Sequence, residues 1–231
     1  METITNADMD LKAQYMRQLD IFDPTIHDCP VTMIGAGGIG SLTALQIAKL
    51  GMKELRIVDF DEVEQHNQPN QLFGLSHLKQ NKAVALASII KQLADLDVET
   101  ITEKITEKTV SPIFNGIVIA GVDSMASRKA IWSKVKFNPA VRLYIDGRMG
   151  GEVLSVYSVN PLSTTAVEDY EATMFDDGEA AELPCTARAI IDVGFMIGAL
   201  ITRAIRKFLV ENKIQFEIIF DTKNLMLIKG E

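Results

Sequence analysis

The stretch VTMIGAGGIGSLTALQIAKLG, Val31 to Gly51, restricts the fold more than any other part of the chain. Four apolar residues, Val31 to Ile34, run straight into a glycine-rich turn. From Gly38 to Leu50 the apolar residues Ile39, Leu42, Leu45, Ile47 and Ala48 recur at helical spacing, and Gly51 stops the run. A second short apolar run, Leu55 to Val58, follows. A strand, a helix and a strand in this order form a crossover unit, which commits the chain to a parallel sheet covered by helices. The turn itself, GAGGIG, satisfies G-x-G-x-x-G at Gly35, Gly37 and Gly40. Glycines permit the tight turn and let backbone N–H groups approach a phosphate, while the helix N-terminus adds partial positive charge. A plain glycine-rich strand-to-helix turn is the alternative reading of the same residues.

The alternation continues downstream. Asp10 to Leu19 reads as a short helix that leads to the break at Asp23-Pro24. Lys79 to Ala94 is predicted helical, with Ala83, Leu86, Ala87, Ile90 and Leu93 on one face. Val98 to Ile105 alternates as a strand would, and Ile117 to Gly121 reads as a buried strand followed by a helix near Met125 to Val135. Further strands are expected at Val141 to Gly147 and Glu152 to Val159. An irregular acidic stretch runs from Pro161 to Pro184, and a long helix lies near Ala187 to Leu209. A terminal hairpin turns around Asp221 to Asn224. The expected fold class is α/β and Rossmann-like: a mostly parallel central sheet with helices on both faces, extended by C-terminal strands. The expected organisation is one domain over residues 1–231, with an N-terminal helical arm at 1–22.

Composition narrows the function. The 231 residues are 47% hydrophobic, with a mean hydropathy of +0.12, so the chain can build a sizeable core. Basic residues number 23 against 31 acidic ones, a formal charge of −8, which argues against binding nucleic-acid backbones. The long helix carries Arg188, Asp192, Arg203, Arg206 and Lys207, too many charges for a membrane span. It reads as a core helix whose Gly194 and Gly198 allow close packing. The polar start reads as having no leader, and the two cysteines, Cys29 and Cys185, are expected to give neither a disulfide framework nor a structural zinc site. The expectation is a cytoplasmic protein without zinc. His27, His66 and His77 have no metal-ligand spacing.

Asp59 closes the second strand about twenty residues after the glycines, where an acid takes ribose hydroxyls in dinucleotide-binding folds. An NAD(P)-dependent oxidoreductase would satisfy everything up to this point. The run DFDEVEQHNQPNQ then adds Asp61, Asn67 and Gln71, which a hydride-transfer enzyme does not need and a triphosphate with a metal does. Asp123 follows a buried strand at its C-terminal end, where ligands bind in open α/β sheets.

These pieces together resemble the ThiF/MoeB/HesA group, the adenylating domain shared with ubiquitin-activating enzymes. The resemblance rests on GxGGxG (Gly35, Gly37, Gly38, Gly40), D-x-D-x-V-E (Asp59, Asp61, Val63, Glu64), N-x-x-x-Q (Asn67, Gln71), Lys82 in NKA, Asp123 with Arg128 five residues on, and the pair Arg17-Gln18. It implies an ATP-dependent adenylyltransferase that activates the C-terminal carboxylate of a ubiquitin-like protein or peptide as an acyl-adenylate. By that likeness Asp59 holds the ribose, Lys82 the phosphates and Asp123 a Mg²⁺ ion. Asn67 and Gln71 orient the phosphates, and Asp61 and Ser124 complete the nucleotide contacts. Arg17 would act as an arginine finger, reaching into a partner's site in a homodimer. The catalytic set on this reading is Arg17, Lys82, Asp123 and Cys185.

The chain departs from the family in one charged position. Relatives commonly read N-x-x-R-Q, whereas Asn70 stands here where the arginine would be, and an amide does not replace a guanidinium's charge. An inactive scaffold with the same fold is therefore a competing reading, beside the oxidoreductase. In LPCTARAI, Cys185 precedes the long helix, whose N-terminus would lower a thiol pKa with help from Arg188. Either Cys185 forms a thioester with the activated carboxylate, residues 161–184 then serving as a crossover loop, or it is a small buried cysteine. Arg128 either belongs to the motif or pairs with an acid on its own helix.

Overall fold

The computed structural model describes residues 12–106, 108–109, 113–175 and 190–230. Eight strands form one sheet: β1 (Val31–Ile34), β2 (Leu55–Val58), β3 (Glu99–Ile101), β4 (Gly116–Ala120), β5 (Val141–Gly150), β6 (Val153–Val159), β7 (Glu217–Asp221) and β8 (Met226–Lys229). Their order is β3-β2-β1-β4-β5-β6-β7-β8. The first five pair in parallel and the last three antiparallel, in agreement with a parallel sheet extended at its C-terminal end. β1 and β4 are wholly buried, as strands covered on both faces must be.

Two cores lie on opposite faces of the sheet. One is built by α1 (Gly40–Leu50), α2 (Lys82–Ala94) and α5 (Ile191–Glu211), through Ile47, Ala83, Ile90, Ile197 and Ile205 against Met33, Ile57 and Ile119. The other is built by α3 (Met125–Val135) and α4 (Thr164–Glu171), through Ile131, Trp132, Val167 and Tyr170 against Val118, Tyr144 and Val159. Gly51 ends α1 at φ +97°, a conformation glycine takes without strain. Gly194 and Gly198 seat α5 on α1. A Cβ on Gly194 would stand 2.6 Å from Leu42 Cδ1 and 3.0 Å from the Gly38 carbonyl oxygen.

Four local expectations are corrected. The stretch 161–184 is not irregular throughout, because Thr164–Glu171 is helical and the Ser163 side chain caps it by accepting from the Ala166 N–H. The strand expected over Val98 to Ile105 is confined to Glu99–Ile101. The second helix starts at Lys82 rather than Lys79, and it buries Ala85 and Ile89 while leaving Leu93 exposed. Of the N-terminal arm, residues 12–14 are helical and 15–21 form turns, while 1–11 lie outside the described residues. Among the described residues no helix is long and apolar enough to cross a membrane.

Candidate functional site

The sheet order reverses between β1 and β4: β2 and β3 lie to one side of this pair, β5 to β8 to the other. A crevice opens at the carboxyl ends of strands where such an order reverses. Both chain segments that leave those ends carry glycine. Gly35 sits at φ +92°, and a Cβ there would fall 2.6 Å from the Gly121 carbonyl oxygen. A Cβ on Gly40 would fall 1.8 Å from the Gly35 carbonyl oxygen. These two glycines therefore serve packing. Gly37 is different, because a Cβ there would meet nothing nearer than Gln71 Nε2 at 4.0 Å. Space above Gly37 is open, as a backbone approached by a ligand requires.

The turn is held from β2. Asp59 is buried; its Oδ2 accepts from the Ala36 N–H at 2.6 Å and its Oδ1 from the Asp61 N–H at 2.8 Å. Burial pushes its pKa up, and the two N–H bonds oppose that shift. Both oxygens are thus already engaged by backbone, which makes Asp59 a brace for the turn as well as the expected ribose contact. Beyond Ala36, the N–H groups of Gly37, Gly38 and Ile39 donate to no described group. The N-terminus of α1 has no side-chain cap and no acidic residue in its first turn. A helix start with bare donors is an anion site.

Lys82 is placed beside this turn by a residue that sequence reasoning passed over. Asn81 caps α2 by accepting from the Ala83 and Val84 N–H groups, and its Nδ2 donates to the carbonyls of Asp59 and Asp61. The helix start is thereby pinned to the end of β2. An asparagine just before an apolar helical run is a capping signal; the predicted start at Lys79 concealed it. Lys82, the first helical residue, is buried, and its Nζ donates to Asp61 Oδ2 at 3.1 Å. It is not an ordinary solvated lysine.

The run 65–71 closes the third side. Asn67 is buried and closes a 3-10 turn by accepting from the Glu64 N–H at 2.8 Å. Three amide atoms, Gln68 Nε2, Asn70 Oδ1 and Gln71 Oε1, are buried without a hydrogen-bond partner. Buried amides left unpaired cost free energy, so three within four residues are groups that ordered water or a ligand would satisfy.

On β4's side, Asp123 is exposed, and its carboxylate makes no hydrogen bond or ion pair with another described residue. Ser124 follows as the N-cap of α3, its Oγ accepting from the Ser127 N–H at 3.2 Å. Arg128 does not pair with an acid on its own helix. It is buried, and its Nε donates to Asp146 Oδ1 on β5 at 2.9 Å.

The structure thus gathers Gly35, Gly37, Gly38, Gly40, Asp59, Asp61, Gln71 and Lys82, with Asp123 and Ser124 on the neighbouring strand end. Arg17 is not brought there. It is exposed beside Gln14, Gln18, Lys49 and Asp95, at the far ends of α1 and α2, and Gln18 anchors this arm by donating to the Leu50 carbonyl at 2.9 Å. An α-helix of eleven residues spans about 16 Å, so Arg17 does not serve its own chain's glycine turn. Cys185 and Arg188 lie outside the described residues, as does most of the expected crossover loop. Among the described residues no three His, Cys, Asp or Glu side chains gather as a metal site.

A model of the ThiF family matches residues 15–220. Adenylyltransferase and sulfurtransferase MOCS3 of Anopheles gambiae is 27% identical over 135 residues, covering 54% of this chain and 31% of its own length. Ubiquitin-like modifier-activating enzyme 5 of Drosophila simulans is 30% identical over 121 residues, covering 46% of this chain and 30% of its own. The chain thus spans about a third of the length of these curated relatives. Among solved structures, E. coli MccB with AMPCPP and MccA superposes with a TM-score of 0.74 at 15% identity, over 99% of this chain and 73% of that one, a likeness of fold. On the family match over nearly its whole length, with the glycine turn, Lys82 and Asp123 at one end of the sheet, this chain belongs to the ThiF family.

Proposed function

We propose that the chain is an ATP-dependent adenylyltransferase that activates a carboxylate, the C-terminus of a ubiquitin-like protein or peptide. The observation that carries this reading is the set of unclaimed polar groups: three N–H groups at the start of α1 without a partner among the described residues, and three unpartnered amide atoms in 68–71, a run whose Gln71 side chain borders the open space above Gly37. Family membership, the relatives' names and the AMPCPP in the MccB structure support an adenine nucleotide over a nicotinamide one.

On this reading the bare N–H groups and Lys82 hold the phosphates, while Gln71 and its neighbours orient them. A carboxylate oxygen of the substrate attacks the α-phosphorus, the bond to the bridging oxygen breaks, and pyrophosphate leaves. Catalysis of this kind is positioning and charge neutralisation. Lys82 already pairs with Asp61 and acts on the neighbouring Asp59, so a triphosphate would need further cations. Asp123, exposed and without a partner among the described residues, would help hold a Mg²⁺ ion, a hard cation that takes oxygen ligands. Mg²⁺ when bound neutralises the charge that develops on the leaving phosphates. Arg17, remote in its own chain, would reach a second copy's site in a homodimer. Cys185 would then take the acyl group as a thioester and release AMP.

The test is ATP–pyrophosphate exchange with Mg²⁺ and candidate donors, beginning with small proteins that end in Gly-Gly. Lys82→Ala and Asp123→Ala should each lower exchange at least about a hundredfold, the usual loss when charge stabilisation is removed. Cys185→Ala should spare exchange and remove only a thioester. Tight ATP binding with no exchange on any donor favours the inactive scaffold, to which Asn70 lends support.

A further inference from the structure

The buried carboxylate of Asp146, fully screened from solvent, is shared by two guanidiniums that hold different parts of the molecule. Its Oδ1 accepts from Arg128 Nε at 2.9 Å and its Oδ2 from Arg148 Nε at 2.7 Å. Tyr170 also donates its hydroxyl to Oδ2 at 3.0 Å, and the Tyr144 hydroxyl lies 3.2 Å from that of Tyr170. Arg128 reaches on to the Val122 carbonyl at 2.5 Å and the Gly147 carbonyl at 3.2 Å. Val122 immediately precedes Asp123, so this guanidinium fixes the turn that presents Asp123. Arg148 reaches the other way. It donates to the Thr173 carbonyl and to Thr173 Oγ1, both at 2.9 Å, and stacks over the Tyr157 ring at 4.4 Å. Thr173 lies just beyond the end of α4. One carboxylate therefore ties the nucleotide side of the crevice to the exit of α4. Each link is a charge-assisted, geometrically fixed bond in a buried setting, where partial loosening is costly.

We propose that Asp146 is a positioning residue that makes the Asp123 turn and the exit of α4 respond as one unit, so that nucleotide bound at the glycine turn is felt at Thr173. This rests on the adenylyltransferase reading. Arg128 and Arg148 are its two arms; Asp146 joins their side chains, with Tyr170 on the same carboxylate, and the Gly147 carbonyl also ties Arg128 to the backbone next to Arg148. Tyr170 keeps the second oxygen from rotating away from Arg148.

Amide hydrogen exchange tests this, with ATP and Mg²⁺ as the probe on the whole chain. In the wild-type protein, nucleotide should slow exchange at least fivefold in peptides covering both 121–128 and 164–175. In Arg148→Lys, which keeps the charge and loses the fork, nucleotide affinity should stay within twofold, and slowing should persist at 121–128 and vanish at 164–175. Asp146→Asn should lose the distant response and weaken nucleotide binding as well; should it fail to fold, Arg148→Lys carries the test. A purely structural Arg148 would raise exchange at 164–175 equally with and without nucleotide, leaving the nucleotide-dependent difference intact, and that result overturns the proposal. So does a wild-type response confined to 121–128 in a protein that binds ATP. No ATP binding at all removes the functional reading first, and the coupling with it.

Discussion

At the scale of single residues, the six-residue glycine turn does two jobs that the motif pattern does not separate. Gly35 and Gly40 exist for packing, since a Cβ on Gly40 would lie 1.8 Å from the Gly35 carbonyl oxygen. Gly37 exists for access. Gly40→Ala should therefore destabilise the fold by about 3 kcal/mol or more, the scale of a forced backbone shift. Gly37→Ala should melt close to wild type while binding nucleotide at least about tenfold more weakly, roughly 1.4 kcal/mol. Melting curves with and without ATP separate the two effects; equal loss of stability in both variants would contradict the division. Glycine spacing and the residue types of Asp59, Lys82 and Asp123 were legible in the sequence because each belongs to a local pattern. The Asp146 cluster was not, because its partners Arg128, Arg148 and Tyr170 come from three separate elements and meet only through the sheet register.

At the scale of elements, β1, α1, β2, α3 and the terminal hairpin followed directly from apolar period and stop signals. Helix α4 did not, because its buried face consists of Val167 and Tyr170 alone, set among Glu168, Asp169 and Glu171. Two apolar residues do not make a readable period, and tertiary packing on the Trp132 and Tyr144 rings supplies the rest. The reach of the third strand was overread for the opposite reason: alternation continues past Ile101 after the partner strand β2 has ended at Val58. The contact of α5 with α1 is testable. Gly194→Ala places a Cβ 2.6 Å from Leu42 Cδ1 and 3.0 Å from the Gly38 carbonyl oxygen. The expected cost is about 1–3 kcal/mol, and each kcal/mol lowers Tm by about 2–4 °C for a domain of this size. The same change presses on Gly38, so ATP affinity should fall with it; unchanged Tm and affinity would mean that the two helices do not pack this tightly.

At the scale of the whole molecule, the second core carries an ionisable load. Burial raises the pKa of Tyr144 well above its ordinary value of 10.0, and burial together with the Asp146 carboxylate raises that of Tyr170. A phenol with a raised folded pKa keeps a proton that the unfolded chain releases, so its stabilising contribution is whole below pH 10 and is lost as pH climbs toward the folded value. The unfolding free energy in urea should hold up to about pH 10 and then fall as the unfolded chain releases the protons that the folded phenols keep. Tyr144→Phe should make the fall shallower, and a flat profile to about pH 11 would contradict the buried hydroxyl pair.

The parallel sheet places N–H donors without a partner among the described residues at its carboxyl ends, and the net charge of −8 makes any bound triphosphate depend on local cations. The most direct test is thermal unfolding with ATP and Mg²⁺, set against NADH, in the wild-type protein, Lys82→Ala and Asp123→Ala. The account predicts that ATP with Mg²⁺ raises Tm in the wild type, that each variant loses most of that rise, and that NADH gives none. Stabilisation by NADH without stabilisation by ATP would contradict it.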